Sequence, residues 1–182
     1  MKAAESRYFL ALIPPEPLQS EIQKVKEYFR DTYNSKGALR SPAHITLHMP
    51  FLWKEKKESK LINLLAQATK EVKFELKLDG YGAFAPKTIF IKNQESQELI
   101  DFQKRLAGFA KRHMNLFNAT HNRGYHPHMT VAFRDLKKDD FAKAWNEFQD
   151  RSFNKVFEVN SFWLLKHDGS RWNAHKEFQF SL

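Results

Sequence analysis

The sequence predicts an α+β fold: two lobes related by a pseudo-two-fold axis, two mostly antiparallel sheets lining a central groove, and helices packed outside. Three observations predict it. Short alternating or apolar runs of strand length interleave with longer runs of helical spacing along the 182 residues. No low-complexity linker divides the chain, so residues 1–182 read as a single domain. A polar signature, His-x-Thr followed by an aliphatic residue, occurs at His44–Leu47 and again at His128–Val131, close to half a chain later. Two copies at that separation suit an internal duplication and are too few for a solenoid.

Each element follows from its pattern. Residues 7–13 (RYFLALI) read as a buried strand, closed by Pro14-Pro15. Leu18, Ile22, Val25 and Phe29 recur at helical spacing, and the helix stops at the turn-rich YNSKG. HITLHM is short and alternating, hence a strand. A second helix carries Leu61, Leu64, Leu65, Ala68 and Val72 on one face, after the solvated run KEKKESK. FELKLDG and KTIFIKN are strands flanking the Gly/Pro-containing connection YGAFAP. A third helix starts near Ser96, with Leu99, Phe102, Leu106 and Phe109 inward. HMTVAF is the second motif strand. A fourth helix carries Phe141, Ala144, Trp145 and Phe148, and VFEVNSFWLL and HKEFQF close the chain as strands.

Composition narrows the function. There is no Cys, which excludes disulfides, thiolate metal sites and Cys nucleophiles. The N-terminal apolar run is too short for a signal-peptide core or a membrane span, so a soluble, cytoplasmic protein is expected. A formal charge of +9 favours anionic partners, nucleic acids and nucleotides among them.

On a strand, residues 44 and 46 share one face, as do 128 and 130, about 6–7 Å apart. Each motif therefore presents an imidazole beside a hydroxyl, with apolar neighbours turned the other way. Two such pairs converging on a groove suit displacement at phosphorus without a metal. One histidine takes a proton from the attacking water and the other gives one to the leaving oxygen. The threonine hydroxyls donate to the non-bridging oxygens.

These residues, with their context, resemble the 2H phosphoesterase superfamily, in particular its 2'-5' RNA ligase and cyclic phosphodiesterase-like group. RYFLALIPP, LRSPAHITL, FELKLDGYGAFAPKTIFI, YHPHMTVAF and KHDGSRWNAHKEFQF all look like segments of that family, nearly end to end. The resemblance implies catalytic roles for His44, Thr46, His128 and Thr130. It implies hydrolysis of a 2',3'-cyclic phosphate, on a nucleotide or an RNA end, to a 2'-phosphate. Some relatives also join or split 2'-5' RNA linkages reversibly, without ATP, and no ATP-binding phosphate loop is present. His128 is expected as the base and His44 as the acid. One departure stands out: many members carry Arg where this chain has Phe133, with Arg134 following.

Arg40, His48, Tyr125, His126, Phe133 and Arg134 are candidate substrate-binding residues. Arg123 also flanks the motifs, and Tyr8, Phe9 and Phe51 flank the strands as candidate stacking rings. His48 and His126 are expected on the groove side by strand alternation. His126 and His128 share a face, but no carboxylate lies close in sequence to complete a metal site, so no metal and no cofactor are expected. The HDGS stretch makes a turn rather than a Ser-His-Asp triad. His113 is expected at a core edge, and His121, His167 and His175 in or near turns. The expected partner is RNA or a small cyclic nucleotide, with no membrane and no obligate protein partner. Two other readings fit the residues: an RNA- or nucleotide-binding module without turnover, and a phosphoesterase for a non-RNA cyclic-phosphate metabolite.

Overall fold

The computed structural model describes residues 4–71, 73–118 and 124–181. Its elements in chain order are β1 (Glu5–Leu12), α1 (Leu18–Tyr33), β2 (Ile45–Lys54), α2 (Glu58–Leu65), β3 (Phe74–Phe84), β4 (Thr88–Asn93), α3 (Gln97–Met114), β5 (His128–Ala132), α4 (Lys138–Phe148), β6 (Asn154–Val159), β7 (Ser161–His167) and β8 (Trp172–Gln179). They form two four-stranded sheets, ordered β2-β1-β7-β8 and β5-β4-β3-β6, with every recorded pairing antiparallel. The expected α+β architecture with two antiparallel sheets is observed.

The two halves follow one plan. A strand beside the sheet's edge, a helix and then the motif strand recur as β1-α1-β2 and β4-α3-β5. Both motif strands end up at a sheet edge, and the two edges approach each other. Each helix crosses over: α1 packs against β5, and α3 packs against β2. The halves are therefore interlocked rather than merely adjacent, which keeps the two motifs in fixed relation.

Alternation along β1 explains why the sheets have two unlike faces. Tyr8, Leu10 and Leu12 join the main core, while Phe9 and Ala11 belong to a separate cluster with Leu165 on the opposite face. Phe29, Phe102, Phe148 and Phe162 anchor the main core at 2 % exposure or less. Burying each stabilises the fold by roughly 1.5–3 kcal/mol relative to an exposed ring.

Three expectations shift. The second helix stops at Leu65 and gives way to a 3-10 turn at Ala66–Ala68. Thr69 Oγ1 donates to the Ala66 carbonyl at 2.9 Å, a local bond that competes with helix continuation. Val72, expected on that helix, lies outside the described residues. YGAF is not a loop but the end of β3: Tyr81, Gly82 and Ala83 pair with Ile91, Phe90 and Ile89. Gly80, at φ +67°, absorbs the register shift before them. VFEVNSFWLL is two strands, β6 and β7, which part at Asn160 and join different sheets.

Candidate active site

His44 immediately precedes β2, and His128 opens β5. From each histidine the next five positions share one burial pattern. His44, Thr46, His128 and Thr130 are half-buried; Ile45, Leu47, Met129 and Val131 are buried, and so are His48 and Ala132. Thr46 lies opposite Ala11, so it sits on the sheet face away from the main core.

The pattern departs from strict alternation at its fifth residue, and the register says why. Ala11 pairs with Thr46 and Leu10 with His48, so β2 spends two residues where β1 spends one. Phe90 pairs with Thr130 and Ile89 with Ala132, the same slip in the second lobe. Each bulge sends the residue after it to the core face. This corrects the expectation for His48: opposite Leu10, it is 1 % exposed on the core side. Its Nδ1 bonds the Met49 carbonyl at 2.8 Å and its ring meets Phe51 edge-on, while Nε2 is buried without a partner. Burial holds the His48 pKa below its ordinary value.

Both candidate catalytic rings are oriented by the same device. His44 Nδ1 lies 2.8 Å from the Pro42 carbonyl, and His128 Nδ1 lies 2.7 Å from the His126 carbonyl, two residues upstream in each case. A carbonyl only accepts, so each Nδ1–H donates and each Nε2 carries the lone pair. Burial pushes His44 from 6.5 down to about 4; the bond to Pro42 works against this, and the charges of Lys26 and His128 add to it. Burial likewise lowers His128, opposed by the His126 carbonyl bond and assisted by the His126 charge. The charge of His128 is the smallest of these influences on His44.

Aromatic rings back each imidazole. Phe9 lies 4.9 Å from His44 and 4.8 Å from Trp172. Phe84 and Phe90 each lie 5.0 Å from His128 and 4.6 Å from one another. Phe9 therefore stands on the site side. Tyr8 and Phe51 stack on each other toward the core, and Tyr8 bonds Glu58.

The open edge of β2 is held from the other half of the chain. Tyr125 Oη donates to the Thr46 carbonyl at 2.9 Å, Gln103 Nε2 donates to the Leu47 carbonyl at 3.1 Å, and the Met49 amide donates to Asn118 Oδ1 at 2.9 Å. Burial raises the Tyr125 pKa, so its hydroxyl stays a donor. Tyr125, a candidate ligand contact by sequence, thus ties the second motif to the first.

The remaining candidates are less central. Arg40 is exposed on a 3-10 turn at Gly37–Arg40. Arg134 leaves β5 at φ +65° and lays its guanidinium 4.9 Å above the exposed Phe133 ring. His126 is exposed and contributes its carbonyl to His128. Arg123 and His121 lie outside the described residues. His175 pairs with Glu58, and His167 meets Arg7 and Trp172. Sequence reasoning passed over Lys26, Phe90, Gln103 and Trp172. Only Lys26 carried a signal, a lone cation four residues after Ile22 on an apolar stripe.

The sequence profile of the 2'-5' RNA ligase superfamily matches residues 14–171. The chain belongs to this superfamily, the 2H phosphoesterases, and is a phosphoesterase/RNA ligase-type enzyme. A Bacillus licheniformis protein provisionally named a phosphoesterase is 25% identical over 176 residues, covering 94% of this chain and 97% of its own. The structure of E. coli LigT complexed with 3'-AMP superposes with a TM-score of 0.67 at 21% identity, over 98% of this chain and all of LigT. The protein TT0787 of Thermus thermophilus gives a TM-score of 0.67 at 19% identity, over 96% and 97% of the two chains. At these identities the two structures establish a shared fold. No helix among the described residues is long and apolar enough to cross a membrane.

Proposed function

We propose that this protein hydrolyses the 2',3'-cyclic phosphate of a nucleotide or RNA end to a 2'-phosphate without a metal, using His44, Thr46, His128 and Thr130. The observation that carries this reading is the repeated device: two imidazoles, each donating Nδ1–H to the carbonyl two residues upstream and each followed by a half-buried Thr. A water O–H gives its proton to one Nε2 as its oxygen attacks phosphorus. The P–O3' bond breaks, and the 3'-oxygen takes a proton from the other Nε2. Thr46 and Thr130 donate to the non-bridging oxygens as negative charge builds there. A 5'-hydroxyl in place of water completes the same step as a 2'-5' linkage, with no nucleotide cofactor consumed. The E. coli relative was crystallised with 3'-AMP, which supports a nucleotide-sized ligand for this fold. The +9 charge also suits an anionic substrate.

The test is incubation with 2',3'-cyclic nucleotides and a cyclic-phosphate-ended RNA in EDTA, separating 2'- from 3'-phosphate products. Accumulation of 2'-phosphate supports the proposal. Tight RNA binding with no turnover of any cyclic or 2'-5' substrate would replace it with a binding module.

A further inference from the structure

The ring behind His44 is the first of a row. Phe9 lies 4.9 Å from His44 and 4.8 Å from the half-buried Trp172, and Trp172 lies 4.8 Å from His167. Arg7 closes the row. Its guanidinium stands 5.7 Å over the Trp172 ring, and its Nη2 lies 3.0 Å from His167 Nδ1. These side chains come from β1, β7 and β8 and share the sheet face of Thr46, away from the main core. The rings behind His128, Phe84 and Phe90, meet no arginine among the described residues. The row also ends in uncompensated charge. Arg30, Arg105 and Arg151 each bond a carboxylate, whereas Arg7, Arg40 and Arg171 enter no ion pair among the described residues. His167 does not offset Arg7: its Nδ1 faces two donors, the guanidinium and the Gly169 amide at 3.0 Å, so it carries the lone pair and the ring is neutral. Asp168 is turned into the β7–β8 turn, where it accepts the Ser170 and Arg171 amides and Asn173 Nδ2, each at 2.8 Å. Arg171 Nη2 lies 3.5 Å from the Leu39 carbonyl, beside the exposed Arg40, on the turn that leads into His44.

Resting on the function proposed above, we infer that this row is a subsite for a second phosphate of a single-stranded RNA. With the reacting phosphate between the histidines, the strand runs over the β1–β7–β8 face, its neighbouring phosphodiester on Arg7 and a base against Trp172. Phe9 and Trp172 stand between His44 and Arg7, so a phosphate held at His44 is not the one held at Arg7. A 2',3'-cyclic mononucleoside phosphate has no second phosphate to offer. An RNA strand with a cyclic end has one on the 5'-oxygen of its last nucleotide. The guanidinium fork matches the two non-bridging oxygens of a phosphodiester, and Arg7 has no carboxylate to give up when one arrives. Aromatic rings stack any base, so the subsite recognises a strand rather than a sequence. The preferred substrate is thus an RNA end, and a cyclic mononucleotide fills only part of the site.

The test reads binding without turnover. Uridine 2'-phosphate, uridine 2',5'-bisphosphate and a tetranucleotide with a 2'-phosphate end are titrated by calorimetry in EDTA. The wild type should bind the bisphosphate about 10-fold tighter than the monophosphate, the gain expected of a hydrogen-bonded charge pair, and the tetranucleotide at least as tightly. Arg7→Gln should remove that advantage and leave the monophosphate Kd within about twofold. For the tetranucleotide it should also make the slope of log K against log salt shallower by about 0.7, one phosphate contact on a single strand. Trp172→Leu should weaken the tetranucleotide about 5-fold or more, as loss of a stacking ring does. Lys143→Gln removes the same charge from α4, which packs on the main core, and should change none of these. Equal losses for monophosphate and tetranucleotide in Arg7→Gln would overturn the inference. If Arg7→Gln does not fold, the wild type still decides: equal affinity for all three ligands overturns the subsite. Turnover of a cyclic mononucleotide is a separate measurement, and its absence counts against the proposed activity and not against this subsite.

Discussion

Gly82 touches neither histidine, yet replacing it should damage the site. It lies opposite Phe90 in the β3–β4 ladder, and a Cβ added to it would sit 2.5 and 2.7 Å from two atoms of the Phe90 ring. Carbon atoms settle at about 3.5–4.0 Å, so the ring must move by roughly 1 Å. The half-buried Phe90 ring packs against Phe84 at 4.6 Å and His128 at 5.0 Å between centroids, so a shift towards either side displaces one of them. Overpacking of this kind costs about 1–3 kcal/mol. At about 2–4 °C per kcal/mol for a chain of this size, Gly82→Ala should lower Tm by roughly 2–12 °C. A misplacement near 1 Å at a reacting group costs up to about 100-fold in rate, so kcat/KM on a 2',3'-cyclic nucleotide should fall roughly 10- to 100-fold. Adding Phe90→Leu to Gly82→Ala restores the space and should recover part of the Tm loss. Gly82→Ala with wild-type kcat/KM and an unmoved His128 titration would refute the claim that Phe90 sets the position of His128.

Other outcomes follow from the same contacts. Tyr125→Phe removes a single donor and leaves the Thr46 carbonyl unpaired, which should cost about 1–3 kcal/mol of stability in denaturant melts. It should lower kcat more than it raises KM if Thr46, the residue it positions, acts on the phosphate as proposed. The folded pKa of His44, about 4 against 6.5, lies below its unfolded value, so its stabilisation is fully present above pH 6.5 and is lost as pH falls towards 4. That swing amounts to about 3 kcal/mol at most, since the ring is only half-buried, and His44→Gln should flatten the wild-type ΔG-against-pH curve over that window. Activity should survive EDTA unchanged, and inactivation by EDTA with rescue by a divalent ion would demand a metal the mechanism does not use.

The sequence carried the duplicated motif and therefore the two-sheet plan, because a period of two on short apolar runs is a strong signal. It also placed His44, Thr46, His128 and Thr130 on one face of their strands, since no bulge intervenes before the threonines. It failed at the next step. Leu47 and Val131 sit in bulges, and a bulge inverts all parity beyond it, so His48 could not be placed by alternation. YGAF looked like a loop because Gly80 and Gly82 suggest one. In the structure the first supplies a positive φ within β3 and the second makes room for a ring. Lys26 was passed over because helical spacing was read through Val25, which is only half-buried. Long-range partners such as Gln103 with Leu47 and Tyr125 with Thr46 depend on how α3 crosses to the other lobe, which no local pattern records.

The most direct test of the central claim is kcat/KM on a 2',3'-cyclic nucleotide for His44→Ala, His128→Ala and the double variant, all in EDTA. If the two imidazoles act as one acid–base pair, each single change should remove about 100- to 10,000-fold, and the double change should remove little more than either alone. Losses that multiply in the double variant, or a single variant that keeps wild-type turnover, would contradict the account.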